Sequence, residues 1–280
     1  MSLTVMLLVL CGAALHATWN TIIKAGSDKL LDTVLVACGA AIFAALALPL
    51  VPIPARASWP YLAASVAIHL VYFTLVALAY QTGELSYAYP IMRGSAPPFT
   101  AIVASVTVRE PLSPGAWAGV VLISIGILTL TADSWRSGRL PLAPGAFGLL
   151  NAGIIVAYTL IDGVGVRSAG NALSYILWLF TLIPFPLLAM VLLVRRRAVL
   201  GQFAVRWKPG LLGGACTTVS YGLALWAMTL APIALVAALR ETSVIFGTVF
   251  ASLFLGERFG PVRYLAALAV TAGAAAIKAF

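Results

Sequence analysis

The chain has 280 residues, of which 62% are hydrophobic and only 9% are charged, and its formal net charge is +9. A typical soluble domain carries about 25% charged residues, and a chain of this length has too small an interior to bury so much apolar surface. The composition therefore excludes an ordinary soluble protein and predicts an all-α polytopic membrane protein. It also argues against a nucleic-acid partner, because the basic residues lie mainly between apolar runs and not on one polar face.

A membrane-spanning helix needs about 20 predominantly apolar residues, and the sequence contains ten candidates. They are residues 3–23, 31–51, 60–81, 86–107, 114–132, 144–164, 171–194, 209–230, 233–255 and 261–279. The longest linker is predicted from Arg195 to Pro209, so almost nothing is left for a soluble domain. We therefore expect one membrane domain with the lipid bilayer around it. The sequence leaves its oligomeric state open, and a monomer is one option.

An internal repeat relates the two halves of the chain. Shifting the sequence by 147 positions without gaps superposes residues that are rare in apolar helices. The matched pairs include Arg93 with Arg240, Glu110 with Glu257, Pro114 with Pro261 and Gly126 with Gly273. The spans then divide five and five, between residues 1–140 and 141–280. Because an odd number of helices inserts the second copy upside down, we predict two inverted five-helix repeats, as in many secondary transporters.

The segments VREPLSP (residues 108–114) and LGERFGP (residues 255–261) follow the fourth and ninth spans, and each precedes a glycine-rich helix. With this duplication and helix count, the chain resembles the ten-helix EamA-type branch of the drug/metabolite transporter superfamily. The sequence HATWN (residues 16–20) and the tyrosine-rich fourth span resemble the YddG-type amino-acid exporters within that branch. The resemblance implies a multi-pass exporter in the bacterial inner membrane that moves small metabolites, without cofactor, metal or enzyme activity.

Arg93 stands inside an apolar span, where a charge is costly unless it faces the protein interior or a water-filled cavity. Three roles are open: it binds a substrate carboxylate, it forms a structural ion pair, or it extends its side chain to the membrane surface. The same roles are open for Arg240, whose neighbour is Glu241. Because adjacent helical residues point about 100° apart, we expect that Arg240 and Glu241 do not pair directly.

Polar and aromatic side chains in the spans complete a candidate site. His16, Trp19 and Asn20 lie on one face of the first helix, since residues three or four apart are neighbours. The full predicted set of substrate-binding residues is His16, Trp19, Asn20, Tyr72, Tyr89, Arg93, Tyr158, Tyr221, Arg240 and Glu241. Helix–helix hydrogen bonds and interfacial aromatic belts are the competing interpretations of the polar and aromatic members. Asp162 and Glu241 are the candidates for proton coupling.

An aromatic and mainly neutral cavity favours neutral or aromatic amino acids over phosphorylated solutes. We expect export of such amino acids by alternating access, through a cavity lined by the first, third, fourth, sixth, eighth and ninth spans. The alternatives are a passive channel or facilitator, and an exporter of another solute class such as a sugar, nucleoside or drug. The sequence contains no Walker A, HExxH or GxSxG motif, which argues against a membrane enzyme.

The orientation of the chain stays open. Lys and Arg residues outside the spans number eleven on the side of the Arg195 linker and four on the other side, which favours an external N-terminus. Members of the wider superfamily are often drawn with both termini inside, and these two expectations disagree.

Overall fold

The computed structural model describes residues 1–81, 85–131, 142–255 and 260–279. Those residues form helices joined by short connections, and none of them lies in a β-strand. The α-helices are α1 (Leu3–Lys24), α2 (Lys29–Ala47), α3 (Trp59–Gln81), α4 (Leu85–Thr107), α5 (Pro114–Leu128), α6 (Leu142–Ser168), α7 (Ala172–Leu182), α8 (Pro184–Met228), α9 (Ile233–Arg240), α10 (Ser243–Leu255) and α11 (Pro261–Ala279). Short 3₁₀ turns cover Leu48–Leu50, Arg56–Ser58 and Thr129–Thr131.

Side-chain caps fix where several helices begin. Ser2, Asp28, Ser113 and Asn171 each accept a hydrogen bond from a backbone N–H in the first turn of α1, α2, α5 and α7. Such a cap typically contributes about 1 kcal/mol, because the first N–H groups of a helix have no partner within it. These four residues therefore set the helix boundaries directly from the local sequence.

The outer surface is apolar, as a bilayer requires. Leu46, Leu193 and Leu268 are 76%, 89% and 68% exposed. Within the described residues, eight helical runs are long and apolar enough to cross a membrane, and one of them, Ala172–Met228, is long enough to do so twice. The predicted all-α polytopic membrane class is confirmed. The count of ten spans and the inverted relation of the halves stay predictions.

The linker predicted between Arg195 and Pro209 is wrong, because this stretch is helical and belongs to α8. The backbone leaves helical geometry only at Arg195 and Arg206. Two predicted spans are divided instead. Residues 171–194 break at Ile183, just before Pro184, which lacks a backbone N–H to continue the helix. Residues 233–255 break after Arg240, where the amides of Glu241 and Thr242 bond to carbonyls three residues back.

Glycines bring two helix pairs into close contact. A Cβ added at Gly214 of α8 would lie 2.3 Å from the Ala40 nitrogen of α2, and one added at Gly39 would lie 2.4 Å from the Gly210 oxygen. In the second pair, a Cβ at Gly119 of α5 would lie 2.8 Å from the Gly273 oxygen of α11. Small residues commonly allow membrane helices to approach in this way. Both crossings lie within the bundle, as expected for ordinary tight packing.

Candidate functional site

A buried ion pair joins the two halves of the chain. Arg93 on α4 and Glu241, directly after α9, are 2% and 4% exposed. The Arg93 Nη1 donates to Glu241 Oε1 at 3.2 Å, and the Arg93 Nε lies 3.2 Å from Oε2. The charge that makes Arg93 costly in a membrane is thus neutralised inside the protein. Glu241 pairs with this distant arginine, and its neighbour Arg240 forms no ion pair with it.

His16 on α1 is the second partner of Arg93. The Arg93 Nη2 lies 2.5 Å from His16 Nε2, and a guanidinium can only donate, so Nε2 is the unprotonated acceptor. The ring proton then resides on Nδ1. The indole Nε1 of Trp19 lies 3.3 Å from that Nδ1, but it also can only donate. Trp19 therefore contributes an edge-on ring contact to His16, with centroids 4.9 Å apart.

Arg240, which the internal repeat aligns with Arg93, lies in a different environment from Arg93. Its guanidinium carbon lies 4.6 Å above the ring of Tyr221. Among the described residues, no carboxylate oxygen lies within 4.0 Å of it. Its positive charge therefore lies against an aromatic ring, without an ion-pair partner among those residues.

A fully buried carboxylate holds Tyr221 in place beneath Arg240. Asp162 on α6 accepts hydrogen bonds from the Tyr221 hydroxyl at 2.7 Å and from the Tyr175 hydroxyl at 2.9 Å. Two hydroxyl donors compensate part of the cost of burying a carboxylate. Tyr221 thus links a buried acid on one side to an arginine on the other.

These groups surround a partly open cavity. The space inside it, counted together with its open mouth, is about 720 Å³. The lining residues are His16, Trp19, Thr33, Val36, Ala37, Ala40, His69, Tyr72, Phe73, Arg93, Tyr158, Phe180, Ile183, Pro184, Thr217, Tyr221 and Arg240. Trp19 in the last two turns of α1 and Thr33 in the first two turns of α2 line it, so the cavity extends towards the turn between α1 and α2.

Most of the predicted site residues lie on this cavity. His16, Trp19, Tyr72, Arg93, Tyr158, Tyr221 and Arg240 line it. Three predicted residues lie outside the lining. The Asn20 amide donates to the His16 carbonyl of its own helix at 2.8 Å, so its polarity is used locally. Tyr89 lies behind Arg93, with its ring 5.8 Å from the guanidinium carbon. Glu241 is covered by its ion pair.

Two helices that sequence reasoning left out also contribute to the wall. Thr33, Val36, Ala37 and Ala40 come from α2, and Phe180 comes from α7. Most of these side chains are small or apolar and resemble any other part of a span, so no local signal distinguished them. His69 on α3 is different. A histidine in an apolar span was a visible signal, and its ring lies 4.7 Å from that of Tyr158.

A polar cluster lies near the ends of α4, α6 and α8. Arg167 Nη1 lies 2.6 Å from Glu110 Oε1, and Arg167 also donates to the carbonyls of Met228 and Ala231. The other Glu110 oxygen accepts from the Ile233 amide at 2.8 Å and so caps α9. We call Glu110 and Arg167 the latch. The corresponding Glu257 lies outside the described residues, as does most of its LGERFGP segment.

No metal site emerges from the described residues. They contain no group of three or more His, Cys, Asp or Glu side chains arranged to hold a metal ion. Cys11, Cys38 and Cys216 are unpaired thiols. The chemistry that the arrangement offers is reversible binding of an organic solute by charge, hydrogen bonds and aromatic surfaces.

Comparisons with protein families and with solved structures both support the all-α membrane fold. The model of the EamA-like transporter family matches residues 3–132 and 143–278. No curated protein matches the chain, whereas 27 chains of solved structures do. One crystal structure has a TM-score of 0.74 and 13% sequence identity, and the alignment covers 99% of this chain and 97% of the other. At that identity the similarity supports the fold alone.

Proposed function

Because this chain belongs to the EamA-like transporter family of small-molecule transporters, we propose that it exports aromatic and other neutral amino acids. The transport would be by alternating access across a bacterial inner membrane. Members of the family are transporters and not enzymes. The solute binds in the cavity between His16 and Arg240, with its carboxylate on Arg240 and its side chain against the aromatic wall.

The observation that carries this proposal is the difference between the two arginines. Arg93 is occupied by Glu241, whereas Arg240 lines the cavity without an ion-pair partner among the described residues. A guanidinium matches the geometry of a carboxylate, and a charge-assisted hydrogen bond is stronger than a neutral one. A solute carboxylate would complete the charge balance at Arg240.

The wall of the cavity supports a neutral or aromatic side chain. Tyr72, Phe73, Tyr158, Phe180 and Tyr221 supply rings that pack edge-on against one another. Aromatic pairs favour such geometry, and a ring of the solute would extend the same pattern. A phosphorylated solute would require more cationic groups than the single unpaired arginine of the lining.

Counterflow in proteoliposomes tests the proposal. Vesicles are preloaded with an unlabelled amino acid, and accumulation of the labelled amino acid is followed from outside. We expect saturable and stereoselective accumulation. Rapid equilibration without accumulation would indicate a channel or facilitator. Failure with all amino acids, from a folded protein, would redirect the search to sugars, nucleosides and drugs.

Substitution of Arg240 tests the assigned contact. Losing hydrogen bonds to a charged group costs about 1.5–3 kcal/mol, so Arg240→Gln should raise the half-saturation concentration roughly 10- to 150-fold. The matched control is Lys278→Gln, which removes an exposed cation that is not part of the cavity lining. The corresponding amino-acid amide, which lacks the carboxylate charge, should bind wild type and variant alike. Equal loss for acid and amide would show that Arg240 does not bind the carboxylate.

A further inference from the structure

The middle of α8 forms a short helical piece of its own. Arg195 and Arg206 have non-helical backbone angles, with φ of −136° and −117°, and they divide α8 into three parts. We call residues 195–208, which include both breaks, the surface segment. The piece between the breaks is about 15 Å long at 1.5 Å per residue, half of the roughly 30 Å hydrocarbon core. It is therefore too short to cross a membrane, and it connects the run made of α7 and the first part of α8 to the last part of α8.

The inner face of the surface segment is anchored to the start of α2. Val199 is buried in an apolar cluster with Leu31 and Val34. Gln202 and Arg206 each donate to Asp32 Oδ1 at 2.8 Å. These contacts fix the rotation of the segment about its axis, so the side chains that point outwards are defined.

The outer face combines exposed cations with exposed apolar groups. Leu200, Val205 and Trp207 are 62%, 80% and 50% exposed. Arg196, Arg197 and Lys208 are exposed on the same segment, and no carboxylate of the described residues lies within 4.0 Å of them. Arg195 differs, because it pairs with Asp28 at 3.0 Å. Basic and apolar side chains together on a short helix are typical of helices that lie in the membrane interface.

We propose that the surface segment binds the headgroups of anionic phospholipids, with Arg196, Arg197 and Lys208 on the phosphates and Leu200, Val205 and Trp207 in the upper acyl region. The charge of the segment is complementary to an anionic leaflet, and tryptophan is enriched at this depth. Gln202 and Arg206 of the same segment donate to Asp32 on α2, and the next residue of α2, Thr33, lines the cavity. Bound lipid thus stabilises the wall of the cavity at its α1–α2 end.

Quenching of Trp207 fluorescence by brominated lipids tests this proposal and requires no transported solute. The full chain is placed in phosphatidylcholine bilayers that contain brominated phosphatidylglycerol or brominated phosphatidylcholine. The same measurement on Trp207→Phe supplies the signal of the other tryptophans, which is subtracted. We expect stronger quenching of Trp207 by the brominated phosphatidylglycerol, and a loss of that preference at high salt.

The charge dependence is tested with two variants of equal net charge. Each basic residue near an anionic membrane contributes about fivefold in affinity, so Arg196→Gln with Arg197→Gln should weaken phosphatidylglycerol binding roughly 30-fold. The control, Arg56→Gln with Lys278→Gln, removes two exposed cations elsewhere and should leave binding unchanged.

Equal quenching by the two lipids, or equal effects of the two variants, would overturn the proposal. So would protection of Trp207 from both lipids by a second copy of the chain. If the Arg196/Arg197 variant fails to assemble, the salt dependence of the wild type decides.

Discussion

The buried pair of Arg93 and Glu241 makes a quantitative prediction about stability. Both side chains are almost inaccessible, at 3% and 5% exposure, and their charged atoms approach to 3.2 Å. Removing one member of a buried pair leaves an uncompensated charge, which typically costs about 3–5 kcal/mol. We therefore expect Arg93→Gln and Glu241→Gln each to lower the free energy of unfolding by about this amount. The double variant leaves neither charge behind, so it should lose less than the sum of the two single losses.

Reversible unfolding in mixed detergent micelles measures this double-mutant cycle. The expected coupling energy is about 2–3 kcal/mol, at the upper end of the range for contacting residues. Arg195 and Asp28 supply the control cycle, because they pair at a similar distance of 3.0 Å with side chains 45% and 34% exposed. An exposed pair contributes about 0–1 kcal/mol. If the losses at Arg93 and Glu241 add within about 0.5 kcal/mol, the pair does not hold the two halves together.

Two further predictions concern the latch and the helix crossings. Glu110→Gln removes the ion pair with Arg167 and should raise several-fold the rate at which a thiol introduced at the buried Ala231 is labelled by a membrane-impermeant reagent. Asp28→Asn, which breaks an ion pair of α2, should leave that rate unchanged. Gly214→Ala places a methyl group 2.3 Å from the backbone of α2, and overpacking of this kind should cost about 1–3 kcal/mol in thermal unfolding. Gly153→Ala meets nothing within 4 Å and should stabilise its helix by up to about 1 kcal/mol. Equal melting temperatures for the two alanine variants would contradict the assigned crossing.

The sequence was sufficient to predict an all-α polytopic membrane protein, because composition and span length depend only on local residues. It also anticipated that Arg240 and Glu241 do not pair, since the 100° turn between adjacent helical residues is a local property. The true partner of Glu241 is Arg93, which is 148 positions away. That contact depends on how α4 and α9 are placed relative to each other, and no local pattern encodes it.

The surface segment shows a second reason for a wrong prediction. Three consecutive arginines from Arg195 to Arg197 suggested a loop, because charges normally end a membrane span. A helix at the membrane surface tolerates the same charges, and Val199 and Gln202 secure it to α2. The position of Asn20 outside the cavity lining has a related reason. Its amide bonds to the carbonyl of His16, and residue type alone does not reveal whether a polar group faces a cavity or its own helix.

Helix α9 connects the latch to the cavity as one short rod. Glu110 caps its first amide at Ile233, and Arg240 is its last residue, so the two ends are about 12 Å apart at 1.5 Å per residue. A rod of two turns transmits a tilt almost without bending. If the latch opens in the proposed transport cycle, a tilt of α9 would therefore also move the guanidinium that we propose to hold the solute.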